Sequence, residues 1–279
     1  MSNLFILSIG SGAFARMTGI NDALYELCNH LAGRSWLLDN LIALPLNNQF
    51  IKAAFLGGCF FAAWHGHQVD RNRRILLVSV LASVFVIATT KTLSYAIFSP
   101  RPFIQSQKAF HLEDNQLVES RRLPYRVPLD AESQKMYADL VKGDVVQNDL
   151  HSFPSDHAGF YVTLAVGILL ASRALGWLAV SWTFLVLLGS RIITGRHSPL
   201  EVVVGAGIGI VMLLLFQFVF DKWWRRPMDL IVNWTLRHPA IATVLIFMVI
   251  FEASNSLQDV HPLLEIGSAA VKHMLHVTP

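Results

Sequence analysis

The chain predicts an all-α fold: a polytopic membrane helical bundle of about six spans, with an interfacial N-terminal helix and a long extracytoplasmic loop. Three observations carry this. Of the 279 residues, 53% are hydrophobic and only 15% charged, against about 25% charged in soluble domains. Several apolar runs approach the roughly 20 residues needed to cross the hydrocarbon of a bilayer. The short connections after the first, third and fifth of them carry arginine, which places the basic residues on one side. A net charge of +3 provides no basic surface suited to nucleic acid, so that partner class is set aside and the bilayer is the expected one.

The runs follow in order. The first is residues 50–64, extended backwards through 41–46. The second is 75–98 and the third 158–172. The fourth, 174–193, is separated from the third by a turn at Arg173, and the fifth, 200–220, is rich in Val, Gly and Leu. The sixth, 240–251, needs residues before Pro239 to reach spanning length. The expected organisation is an N-terminal segment (1–45), a membrane bundle (46–226, with the loop 99–153) and an extra span with a tail (227–279). In the first segment, Leu24, Leu27, Cys28 and Leu31 recur at helical spacing, the pattern of an amphipathic helix at an interface or of a soluble cap. The N-terminus lacks a basic start and its first apolar run, 4–9, is short, so a cleaved signal peptide is not expected. Cys28 and Cys59 form no ligand pair, and Cys59 sits in an apolar run as packing.

Orientation follows from charge. Arg71, Arg73 and Arg74 lie between the first two runs, Arg173 between the third and fourth, and Lys222, Arg225 and Arg226 after the fifth. All three connections fall on one side, and short basic loops face the cytoplasm. The long segment 99–153, the turn 194–199 and both termini are then expected outside.

On that outer side stand three polar clusters. Ser99-Pro100-Arg101-Pro102-Phe103 closes the second run, Phe153-Pro154-Ser155-Asp156-His157 opens the third, and Ser190-Arg191 closes the fourth before Arg196-His197-Ser198-Pro199-Leu200-Glu201 opens the fifth. In a packed bundle they converge. Guanidinium groups bind phosphate oxygens through paired hydrogen bonds and keep their charge. Helix starts near Ser155 and Ser198 offer unpaired N–H groups to an anion. One histidine can attack phosphorus while another protonates the departing oxygen. No cluster groups carboxylates for magnesium or His and Cys for zinc.

At these residues the chain resembles the type-2 phosphatidic acid phosphatase superfamily. That family carries Lys, six residues, Arg-Pro; then Pro-Ser-Gly-His; then Ser-Arg, five residues, His, three residues, Asp. Arg101-Pro102 matches the end of the first motif, Pro154-Ser155-Asp156-His157 the second with Asp for Gly, and Ser190-Arg191…His197…Glu201 the third with Glu for Asp. The resemblance spans about residues 21–220, and the segment 21–40 is similar to the start of bacterial undecaprenyl-diphosphate phosphatases. It implies a membrane lipid phosphatase acting outside the bacterial inner membrane on a phosphorylated lipid, such as undecaprenyl diphosphate or phosphatidic acid, without metal or other cofactor. It also implies roles: His197 as the nucleophile that becomes phosphohistidine, Glu201 orienting it, His157 as acid, and Arg101, Arg191, Ser155 and the Asp156 backbone as phosphate ligands. A lipid phosphotransferase and a non-catalytic lipid-binding or transport scaffold are the alternatives.

Three departures bear on this. The family lysine position is Ser94, and the nearest lysine is Lys91, about 4.5 Å deeper along a helix and about 60° off its face. A lysine stem can snorkel that far, so Lys91 is kept as a phosphate ligand. Asp156 puts a carboxylate beside an anion site and must turn its side chain away. Glu201 adds one methylene to the carboxylate facing His197. Structural roles compete as well: Ser198 to Glu201 reads as a capping box with Pro at the first helical position, Ser155 as a helix N-cap, and Arg101 and Arg191 as headgroup anchors. Arg196 is a headgroup or phosphate contact. His65, His67, His111, His151 and His238 read as interfacial or loop residues. Gly205, Gly207 and Gly209 read as close helix packing. Within the long loop, 131–142 reads as a short helix, and the loop exceeds the length of a plain connection.

Overall fold

The computed structural model describes residues 11–107, 110–113, 116–119 and 122–254. The apolar run 4–9 and the C-terminal tail 255–279, with their expected outward placement, lie outside the described residues.

The architecture is helical, with one small hairpin among the described residues. The N-terminal segment folds as α1 (Ser11–Asn29) and α2 (Trp36–Asn47). Helix α1 turns Leu24 and Leu27 away from the protein, 48% and 70% exposed, and buries Asp22, Tyr25 and Asn29. A polar face inward and an apolar face outward suits a helix whose free side meets lipid. Asn29 on α1 donates to the carbonyls of Ile193 (2.8 Å) and Arg126 (3.2 Å) and accepts from the Arg126 N–H (2.7 Å). Asp39 on α2 accepts from the N–H groups of Gly33 (2.9 Å) and Leu129 (2.8 Å). These two side chains clasp residues 126–129 of the long loop to the N-terminal helices.

Residues 41–46 do not extend the first span backwards. The chain leaves helical geometry at Asn48 (φ −113°, ψ 108°), whose side chain caps α3 (Gln49–Trp64) by accepting from Ile51 N at 3.1 Å. The physical reason is the Asn47-Asn48 pair, because Asn competes for backbone groups and favours caps over helix interiors.

The centre of the bundle is α4 (Val69–Ala96), α6 (Asp156–Ala171) and α9 (Pro199–Lys222). Small residues set their approach. A Cβ on Gly205 would fall 2.2 Å from the Ser155 carbonyl, and one on Gly209 would fall 2.5 Å from that of Gly159. Gly167 does the same for α4, where a Cβ would meet Ser79. Gly207 has open space around it, so of the three glycines only Gly205 and Gly209 serve close packing. The outer surface of α9 exposes Val203, Val211, Leu214, Leu215 and Phe218. Small residues inside and large apolar residues outside is the arrangement of helices that pack in lipid.

Among the described residues, three helical stretches are long and apolar enough to cross a membrane: Val69–Ala96, Arg173–Ile193 and Pro199–Lys222. The second consists of α7 (Arg173–Trp182), a π-helical segment (Thr183–Leu188) and α8 (Gly189–Ile193). Helices α3 and α6, 16 residues each, are apolar but shorter, about 24 Å against a hydrocarbon core of about 30 Å. Helices α10 (Arg225–Arg237) and α11 (Pro239–Ser254) meet at 114°. Residues before Pro239 therefore turn away instead of lengthening the last apolar helix. Asp229 on α10 pairs with Arg74 at 2.7 Å, and Thr235 lies 3.2 Å from the buried guanidinium of Arg73, which also covers the Trp64 ring at 4.9 Å. Those contacts, with Met228 and Val232 buried, hold α10 across the end of α4. The core between α3, α4, α6 and α11 is filled by Phe60, Trp64, Leu76, Tyr161, Leu164, Ile168 and Ile250.

The long loop is structured where described. It carries the antiparallel hairpin of β1 (Phe110–Glu113) and β2 (Gln116–Glu119), in register Phe110 to Glu119, which the periodicity did not reveal. The expected helix appears as α5 (Ala131–Val141), capped by Asp130 accepting from Ser133 N at 3.0 Å. Phe103, Ile104 and Leu140 form a small core of their own with Tyr125 and Met136 against it.

Candidate active site

Backbone hydrogen bonds bring the three polar clusters together. At the end of α4, Ser99 N donates to Leu150 O (3.0 Å), Ser152 N to Ser99 O (2.9 Å) and Arg101 N to Asp149 O (2.9 Å), zipping the two ends of the long loop. Ser155 N donates to Glu201 O (3.1 Å), in the first turn of α9, and Phe103 N to Gly195 O (3.1 Å), in the turn before α9. That turn needs a left-handed residue, and Gly195 supplies it with φ +71°; a Cβ there would also meet Tyr125 and the Tyr25 hydroxyl.

Within this frame His197 and Glu201 form a buried pair, Nδ1 to Oε2 at 2.9 Å. Oε2 also accepts from Ser198 N at 3.1 Å, while Ser198 Oγ accepts from Glu201 N at 3.3 Å. Glu201 is thus both the reciprocal partner of a capping box and the partner of the imidazole. Its other oxygen accepts from Ser152 Oγ at 2.7 Å and lies 3.5 Å from Ser99 Oγ, so the extra methylene is absorbed by a carboxylate held from four sides. Burial, together with the guanidiniums of Arg101 and Arg191, pushes the His197 imidazole below its ordinary pKa, against the opposing pull of Glu201. That direction favours the neutral ring, and the tautomer with Nδ1–H toward Glu201 leaves the lone pair on Nε2. That Nε2 is buried and has no hydrogen-bond partner among the described residues.

Facing it is His157, its ring centroid 6.4 Å from that of His197. His157 Nδ1 lies 2.6 Å from Asp156 Oδ1. The Asp156 side chain is thus engaged with the neighbouring imidazole, as the sequence required of a carboxylate near an anion site. Ser155 is fully buried and caps α6, accepting from Ala158 N at 3.3 Å.

Arg191 is 6% exposed and lies among Tyr161, Asp156, Arg196 and Arg101. Its backbone carbonyl accepts from Arg196 N (2.9 Å) and His197 N (3.1 Å), binding the end of α8 to the turn. Arg101 Nε lies 3.2 Å from Asp149 Oδ1. A narrow polar cavity is lined by Lys91, Ser94, Arg101, His151, Asp156, His157 and His197. Both Lys91 and the serine at the family's lysine position therefore reach the same cavity. Arg196 pairs instead with Glu132 at the start of α5, 3.0 Å.

Several residues of the site carried no sequence motif. Asp149 holds Arg101, and Ser152 holds Glu201. His151, read as a loop residue, borders the cavity with Nδ1 3.1 Å from Ile97 O. Lys52 on α3 is nine-tenths buried and within electrostatic range of Arg191 and Arg196. A lone lysine inside an apolar run is a functional signal in a membrane chain, and it was the one cue available for this residue.

Asp156, His157 and His197 each bring a ligand atom within 4.8 Å of the others, a spacing a metal ion could bridge. Two features of the residues oppose that use. The His157 and Asp156 atoms already bond each other, and the charges of Arg101 and Arg191 act on the same groups. The donor set suits an anion better than a cation.

The helical bundle gathers two histidine–carboxylate couples, the buried Arg191 and the half-buried Arg101 at one end. The family model described as PAP2 superfamily matches residues 73–225, and the chain belongs to that superfamily. Among curated proteins it is similar to the bacitracin transport permease protein BcrC of Bacillus licheniformis, 39% identical over 77 residues, covering 28% of this chain and 34% of the relative. It is also similar to the undecaprenyl-diphosphatase BcrC of Bacillus subtilis (strain 168), 37% identical over 83 residues, covering 29% of this chain and 42% of the relative. The chain thus matches less than half the length of either relative. No solved structure matches it.

Proposed function

We propose that this chain is a membrane-embedded lipid phosphatase that hydrolyses a lipid phosphate or diphosphate through a phosphohistidine, with undecaprenyl diphosphate as the first substrate to test. The observation that carries the reading is His197: paired at Nδ1 with Glu201, with a buried Nε2 that has no partner among the described residues, in a cavity shared with Arg101 and His157. Membership of the PAP2 superfamily and the similarity to an undecaprenyl-diphosphatase support it.

In this mechanism Arg101, Arg191, Lys91, Ser155 and the N–H at Asp156 bind the phosphoryl group. His197 Nε2 attacks phosphorus as the bond to the leaving oxygen breaks, and His157 delivers a proton to that oxygen. Water then attacks the phosphohistidine, giving its proton to His157, and inorganic phosphate leaves as the P–N bond breaks. The electrostatic work falls to fixed guanidiniums, so no metal is required. The bundle contributes six crossings: α3, α4, α6, the α7–α8 stretch, α9 and α11, with α10 lying along the cytoplasmic surface. The site then faces outward, the arginines near 71–74 and 225–226 face the cytoplasm, and a bacterial inner membrane fits that arrangement.

The test is phosphate release from undecaprenyl diphosphate by purified protein in detergent with excess EDTA, alongside His197→Ala. Wild type is expected to release phosphate and the variant to lose at least about 10³-fold. Loss of activity with EDTA, restored by a divalent ion, rejects the metal-free mechanism. Release from phosphatidic acid but not from the diphosphate changes the substrate and keeps the chemistry. No release from any lipid phosphate, by protein shown to be folded, returns the weight to a non-catalytic lipid-binding scaffold.

A further inference from the structure

The site holds two histidine–carboxylate couples where one suffices to orient a nucleophile. His197 has Glu201 at 2.9 Å and His157 has Asp156 at 2.6 Å. The couples differ in construction. Glu201 reaches His197 across one helical turn, whereas Asp156 is the immediate neighbour of its histidine and accepts from both the His157 backbone N–H (2.7 Å) and the ring Nδ1 through the same Oδ1. An aspartate at the first position of a helix needs only the helix dipole to explain it. Folding back onto the adjacent imidazole is a further, specific contact, made by side chains that are 20% and 18% exposed.

We infer that Asp156 is a positioning residue for the general acid: it fixes His157 with Nδ1–H directed inward, so that Nε2 is the nitrogen presented to the leaving-group oxygen. This rests on the phosphatase reading and deepens it. In the first half-reaction the imidazolium of His157, its charge shared with Asp156, gives the Nε2 proton to the oxygen as the P–O bond breaks and the His197 N–P bond forms. In the second, neutral His157 takes a proton at Nε2 from the attacking water, and the ring again carries two N–H groups with Asp156 opposite the positive charge. A carboxylate that holds the other nitrogen governs both tautomer and orientation.

The consequence is a dependence on the leaving group. An alkyl phosphate expels an alkoxide that needs a proton in the transition state, whereas p-nitrophenyl phosphate expels a phenolate that does not. The experiment measures kcat/KM, which reports the first half-reaction, for Asp156→Asn and Asp156→Glu on phosphatidic acid and on p-nitrophenyl phosphate, in one preparation of each variant. The ratio of the two rates within a preparation is independent of the fraction folded. For Asp156→Asn the expected loss is about 10²-fold on the alkyl substrate and under about threefold on the aryl one, with Asp156→Glu recovering part of the alkyl rate. Equal losses on both substrates, or no loss on the alkyl one, overturn the inference and leave the phosphatase intact. Wild-type protein inactive on both substrates and on undecaprenyl diphosphate overturns the phosphatase reading and the acid role of His157 with it.

Discussion

At the scale of single residues, Glu201 has two jobs that a single substitution separates. As a capping residue at the third helical position, Gln serves nearly as well as Glu. As the partner of a histidine that becomes positively charged during phosphoryl transfer, Gln lacks the charge. Glu201→Gln is therefore expected to change thermal stability by under about 1 kcal/mol while reducing kcat by about 10²- to 10⁴-fold. The pH profile carries a sign as well. The nucleophile must be neutral, and its pKa already lies below the ordinary histidine value, so the acid limb of kcat/KM is expected below about pH 6.5. Removing the Glu201 charge withdraws the coulombic part of what raises that pKa, so the limb moves further toward acid. A limb moving toward alkali in Glu201→Gln contradicts the assignment of His197 as nucleophile.

At the scale of elements, the site depends on how closely α6 and α9 approach. Ser155 donates its N–H to Glu201 O at 3.1 Å, and Gly205, one turn along α9, leaves room for the Ser155 carbonyl. Gly205→Ala places a methyl where that carbonyl stands and is expected to destabilise by about 1–3 kcal/mol and to lower activity by moving Ser155 and His157. Gly207→Ala, in open space, is expected to do neither, and to gain slightly from helix propensity. Thermal unfolding in detergent and phosphate release, measured on both, check the pair. The π-helical segment Thr183–Leu188 precedes α8, which carries the buried Arg191. Such segments recur at functional sites, and no sequence period announces one.

At the scale of the whole molecule, the proposed orientation is open to labelling. With Cys28 and Cys59 replaced by Ala, Lys142→Cys in the long loop and Gln68→Cys between α3 and α4 both present exposed positions at opposite ends of the bundle. A membrane-impermeant thiol reagent on intact cells is expected to modify the first and spare the second. The reverse pattern places the site in the cytoplasm. Two of the arginines behind this orientation are also tied down, Arg73 to Thr235 and Trp64, and Arg74 to Asp229. They anchor α10 in addition to marking a side of the membrane.

The sequence by itself determined the class of fold, because apolar length and charge placement are set by the bilayer and need no tertiary information. It also singled out the main chemical groups of the candidate site, because Arg101, His157, Arg191, His197 and Glu201 stand in ordered motifs at the ends of apolar runs. Only the tertiary structure decided how those groups are held. Asp149 and Ser152 reach the site from the end of the long loop, Lys52 on α3 comes within electrostatic range of Arg191, and none of the three belongs to a local pattern. Asp156 turns onto His157 by a choice of side-chain rotamer. The break at Asn48 and the 114° bend before α11 are decided by capping and packing against neighbours, which hydropathy does not register. Periodicity reports the environment of a face, and motifs report a chemistry. Distances between residues far apart in the chain arise only when helices pack, and it is those distances that join His197, Glu201, His157 and Asp156 into one site.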